Sequence, residues 1–84
     1  MALYLISYDL LNHATMNQYE ELIGELRRLG ARSVQRSEWV WRSENTPTEI
    51  RDHLMKFIHN ADRILITAVS NWASWNAMVD INNV

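Results

Sequence analysis

The chain has 84 residues, 48% hydrophobic and 21% charged, which describes one globular domain with a small core rather than a disordered segment. It contains no cysteine, which excludes disulfides and thiolate-held metals. A net charge of -2 gives no overall pull toward nucleic acid, and no apolar run is long enough to span a membrane, so the expected compartment is the cytoplasm.

The first element is Leu3-Tyr4-Leu5-Ile6-Ser7-Tyr8-Asp9-Leu10, an apolar run that reads as a buried β-strand ending on an acid. Thr15-Met16-Asn17-Gln18 has capping-box spacing. Tyr19, Leu22, Ile23, Leu26 and Leu29 then follow the period of a helix with one apolar face, and Gly30 stops it. The opposite face carries Glu20, Glu21, Glu25, Arg27 and Arg28, where Glu25 can pair with Arg28 one turn on.

Residues 32–43 are rich in Val, Trp and Ser and read as two short strands, 33–36 and 38–42, joined by a tight turn or bulge. Thr46-Pro47-Thr48-Glu49 opens a second helix with an N-cap, a proline in the first turn and an acid. Its buried stripe is Ile50, Leu54, Phe57 and Ile58, and Asn60 ends it. Residues 62–70 hold a fourth strand that is apolar on both faces.

This order, β-α-β-β-α-β, predicts an α+β fold: a ferredoxin-like sandwich with an antiparallel sheet and both helices on one face, over residues 1–70. Two helices cover only one face, so a homodimer packed sheet to sheet is the simplest cover for the other. Trp75, Ala77, Val79 and Ile81 alternate with Asn76, Met78, Asp80 and Asn82, which predicts a fifth strand within 71–84 that completes the dimer. The competing reading is a tail with Trp72 and Trp75 tucked onto the core.

Two segments carry a resemblance. Tyr4-Leu5-Ile6-Ser7-Tyr8-Asp9-Leu10 resembles the opening strand of the CRISPR-associated protein 2 family and its VapD-like relatives. Leu29-Gly30-Ala31-Arg32-Ser33-Val34-Gln35-Arg36-Ser37-Glu38-Trp39-Val40 resembles that family's helix end and paired central strands. The likeness runs from about residue 3 to residue 69. It implies a ferredoxin-like homodimer, often with a swapped C-terminal strand, that associates with nucleic acid. It also implies, for some members, metal-dependent nuclease activity centred on the strand-1 aspartate. Asp9 is the residue that carries over, as catalytic group and metal ligand, with Tyr8 beside it. The sequence departs from the family after the aspartate: residues 11–17 contain no Lys or Arg. The departure argues for a freestanding member and against an integrase-type partner.

A carboxylate at a strand end can hold a divalent metal, Mg²⁺ or Mn²⁺, and a symmetry mate in a dimer would bring a second. Ser7, His13 and Ser37 are the candidate helpers. The structural alternative is that Asp9 accepts hydrogen bonds from the following loop. Five of the eight cationic residues, Arg27, Arg28, Arg32, Arg36 and Arg42, crowd a stretch with one acid, Glu38. Arg suits bidentate phosphate contact, and Arg36 is the candidate clamp. A solvated helix end with strand-edge charges is the plain alternative. Tyr8, Trp39, Trp41 and Trp75 are candidate dimer-interface residues, with the core as the other place for the strand tryptophans. His53 and His59, six residues apart, share no helix face. With two glycines in the chain, nucleotide-cradling loops are excluded. The expectation is a homodimeric nucleic-acid-associated protein, possessing or lacking endonuclease activity at Asp9. The alternatives are a non-catalytic interaction or scaffold module and a small-molecule-binding dimer.

Overall fold

A computed structural model describes residues 1–11 and 16–84, with side chains in the second range from Tyr19 onward. Thr15, the cap of the expected capping box, and the expected helper His13 lie outside the described residues.

Four strands and two helices alternate as anticipated: β1 (Ala2–Asp9), α1 (Met16–Leu29), β2 (Arg32–Gln35), β3 (Glu38–Ser43), α2 (Pro47–Leu54) and β4 (Arg63–Val69). The strands form one antiparallel open sheet in the order β2-β3-β1-β4. This α+β arrangement is compatible with a ferredoxin-like fold. No helix among the described residues is long and apolar enough to cross a membrane.

The period of two along β1 divides the apolar residues between two faces. Tyr4, Ile6 and Tyr8 point one way and stand opposite Trp41, Trp39 and the β4 residues Ala68, Ile66 and Ile64. Both helices pack on this face through Leu22, Ile23 and Leu26 of α1 and Ile50 and Leu54 of α2. The other face carries Leu3, Leu5, Val34, Val40 and Val69.

That second face is covered within the chain over β1, β2 and β3, while Leu65 and Thr67 of β4 stay exposed on it. Ile81 is buried against Leu3, Val34 and Val40, and Trp72, Ala77, Val79 and Val84 pack around them. The expected fifth strand is absent from 71–84. Asn76 adopts a left-handed φ of 54° that breaks the extended run, and Asp80 caps a 3₁₀ turn, Ile81–Asn83, by accepting from the Asn82 N–H at 3.0 Å. The alternation of apolar residues thus comes from a bent segment laid flat on the sheet. Of the two tryptophans expected on the core, Trp72 packs there and Trp75 is 89% exposed.

The local stops follow the sequence. At the end of α1, Ala31 N–H bonds to the Leu26 carbonyl and Gly30 N–H to the Arg27 carbonyl, both at 3.0 Å. These are the paired bonds of a Schellman cap, and Gly30 supplies the φ of 89° it needs. At the start of α2, Thr46 and Glu49 cap each other reciprocally. Helix α2 ends at Leu54 and tightens into a 3₁₀ turn, Met55–Phe57, sooner than the expected stop at Asn60.

Candidate nucleic-acid interface

One end of the sheet gathers aromatic and cationic side chains. The antiparallel pairing of β1 and β3 brings Tyr8 to the β2–β3 turn, where its N–H donates to the Ser37 carbonyl at 3.1 Å. Ser37 makes this turn possible with a left-handed φ of 62°. Trp39 Nε1 donates to the Tyr8 hydroxyl at 3.3 Å. Burial pushes the Tyr8 phenol up to about 12, with the nearby Tyr19 adding to the rise, so it stays protonated at neutral pH. From above, α1 contributes Tyr19 and Arg27, and the turn contributes Arg36. Together these line an open cleft of about 370 Å³.

The five arginines of the basic stretch do not form one patch. Arg27 and Arg36 share the cleft, and among the described residues neither meets a carboxylate. Arg28 is bound to Glu25 through two hydrogen bonds, Nε to Oε1 at 2.6 Å and Nη2 to Oε2 at 2.5 Å. Arg42 Nε donates to the Val84 backbone oxygen. Arg32 stands opposite Val40, on the side of the sheet where the tail lies. Helical and strand geometry separates residues that are close in sequence.

Asp9 ends β1 and stands opposite Arg63, the first residue of β4. Its Oδ2 accepts from Arg63 Nη1 at 3.1 Å, and both side chains are largely exposed. Leu11, just past β1, is held by a different acid, its N–H donating to Asp62 Oδ1 at 2.8 Å. Among the described residues, no three His, Asp or Glu side chains gather where a metal ion could sit. Among the described residues, Asp9 offers a single carboxylate already facing a guanidinium, a donor set too small by itself for a resident Mg²⁺ or Mn²⁺.

The expected interface residues separate as well. Tyr8 and Trp39 are each 6% exposed, inside the core between sheet and helices, and Trp41 packs at its margin. Trp75 stands in solvent on the opposite side, in the tail.

A group that sequence reasoning placed on the solvent face lies instead between the helices. Glu25 is 7% exposed, and its Oε2 contacts His53 Nε2 on α2 as well as Arg28. The Arg28 guanidinium, bonded to both oxygens, holds the carboxyl at about 2, well below 4.5; burial opposes this and the His53 contact adds to it. Sequence held a signal for this burial. Glu25 lies three residues from Leu22 and one from Leu26, which puts it on the flank of the apolar stripe at ~100° per residue. No protein-family model matches this chain.

Proposed function

We propose that the chain is a small homodimeric nucleic-acid-associated protein of the cytoplasm, with a ferredoxin-like fold akin to CRISPR-associated protein 2 and VapD-like proteins. The observation that carries the binding reading is the cleft shared by Arg27 and Arg36, two cations without a carboxylate partner among the described residues. Tyr19 is 48% exposed beside them and offers a face for a base to stack on. Arg forks match phosphate oxygens bidentately, and an aromatic wall accepts any base. Single-stranded nucleic acid suits this arrangement better than duplex, because only unstacked bases reach an aromatic wall.

The test is binding of labelled single-stranded RNA and duplex DNA across a salt series. Loss of two phosphate contacts in Arg27→Ala/Arg36→Ala lowers the slope of log affinity against log salt by about 1.4 for a single strand. Arg32→Ala, on the side of the sheet where the tail lies, leaves the slope close to that of the native chain. No binding at low salt overturns the reading.

Cleavage is the catalytic form of this proposal, with Asp9 and its copy in the partner subunit sharing a Mg²⁺ or Mn²⁺. The pairing of Asp9 with Arg63 favours the non-catalytic form, since each chain then contributes one carboxylate already countered by a cation. Incubation with both nucleic acids in Mg²⁺, Mn²⁺ and EDTA, alongside Asp9→Asn, separates the two. Metal-dependent cleavage lost in the variant establishes the enzyme, and equal background in both proteins leaves binding alone.

A further inference from the structure

The two edges of the sheet are treated differently. The β2 edge is closed by four devices. It is four residues long, and its pairing with β3 is interrupted by a register shift between Ser33 and Gln35. It carries Arg32, and the tail reaches it, with Met78 N–H donating to the Val34 carbonyl at 2.7 Å. Short length, irregularity and charge are the usual protections of an edge strand.

The β4 edge shares only the charge, with Arg63 as its first residue, and has none of the other three. It is seven residues long and pairs with β1 without a register break from Leu3↔Val69 to Asp9↔Arg63. Beyond its first residue it holds no charge and no proline, and Leu65 is 62% exposed. Among the described residues no strand pairs with its outer side. A long, regular, apolar edge is a template for another strand.

We infer that the strand which adds to β4 is β4 of a second copy, antiparallel, about a two-fold axis at Ile66. This rests on the homodimer part of the reading above and is independent of its nucleic-acid part. Self-complementarity favours a second copy over an unrelated strand. An axis at Ile66, the midpoint of Arg63–Val69, pairs the whole strand with its mate. Ile64 then faces Ala68 of the partner subunit and Leu65 faces Thr67 of the partner subunit, large against small on each side of the sheet. Arg63 faces Val69 of the partner subunit, so no like charges are opposed. The helices pack on one face and the tail on part of the other, where Leu65 stays exposed, and in-plane addition displaces neither.

A chain without cysteine allows a direct test. Residues directly opposite in an antiparallel pair have Cα atoms about 4.5 or 5.5 Å apart, within the span of a disulfide. Mild oxidation of Ile66→Cys should therefore give a cross-linked dimer. Ala68→Cys should not, because its two copies lie four residues out of register, about 13 Å along the strand. In sedimentation, Leu65→Lys or Thr67→Glu alone should weaken the dimer about tenfold, and the double variant should recover most of it through two cross-strand ion pairs. Both positions are exposed, and circular dichroism of each variant checks that it folds. A native chain that stays monomeric at about 100 μM overturns this pairing together with the homodimer reading. A native dimer indifferent to Leu65→Lys, with Ile66→Cys uncross-linked, overturns the β4 pairing alone and leaves the homodimer standing on another surface.

Discussion

His53 of α2 and Glu25 of α1 meet through Nε2 and Oε2, and this contact ties the two helices together across the sheet. Arg28 completes the group from the same helix as Glu25. Replacing Glu25 with Gln removes the charge from both contacts, and the expected cost is about 1–3 kcal/mol. A fall in the urea midpoint at unchanged slope measures it. The pH dependence has a defined sign. The folded carboxyl titrates at about 2 and the unfolded one near 4.5, so the unfolded chain takes up the proton first. The stabilisation is complete above the unfolded value and is lost as pH falls from about 4.5 through 2. Glu25→Gln should lack this part of the acid transition.

Asp9→Asn should fold as well as the native chain. Its pair with Arg63 is exposed on both sides, and surface pairs of this kind contribute about 0–1 kcal/mol. A thermal melt within a few degrees of native would confirm this. Any loss of metal-dependent cleavage in that variant then reports chemistry rather than unfolding.

The tail should divide sharply under mutation. Ile81 is 8% exposed in the second core and Trp75 is 89% exposed. Ile81→Ala should cost about 2 kcal/mol or more. Trp75→Ala should change stability by less than about 0.5 kcal/mol despite deleting the larger side chain. Paired urea denaturation curves decide between this and a tail held by its tryptophans.

The two glycines should respond with opposite signs. A Cβ would meet nothing within 4 Å at either position, so backbone conformation alone decides. Gly24 lies inside α1, and Gly24→Ala should stabilise by about 0.5–1 kcal/mol. Gly30 sits at a φ of 89°, and Gly30→Ala should destabilise by about 1–2 kcal/mol.

Elements with strong local signals were legible in the sequence. Thr46, Pro47 and Glu49 marked the start of α2, Gly30 the end of α1, and the apolar runs marked β1 and β4. The tail was not, because alternation cannot distinguish a paired strand from a bent segment lying on a sheet, and the φ of Asn76 is invisible in a hydropathy pattern. The Glu25–Arg28 pair was legible from its i, i+3 spacing. Its link to His53 depends on how α1 and α2 pack and so lies beyond local reading. The placement of the basic stretch lies beyond local reading for a related reason. Sequence proximity grouped five arginines, whereas two faces of a sheet and two sides of a helix dispersed them and left Arg27 and Arg36 together.

The cover of the second sheet face has a consequence for handling the protein. Residues 71–80 reach Ile81 with no strand, so Ile81 is held on Leu3, Val34 and Val40 by side-chain packing and a few bonds. A protease nick in that segment would free the cover while the helix-side core stayed packed. The product would be a folded body with a newly wet apolar sheet face, prone to clumping rather than to surviving as a trimmed domain.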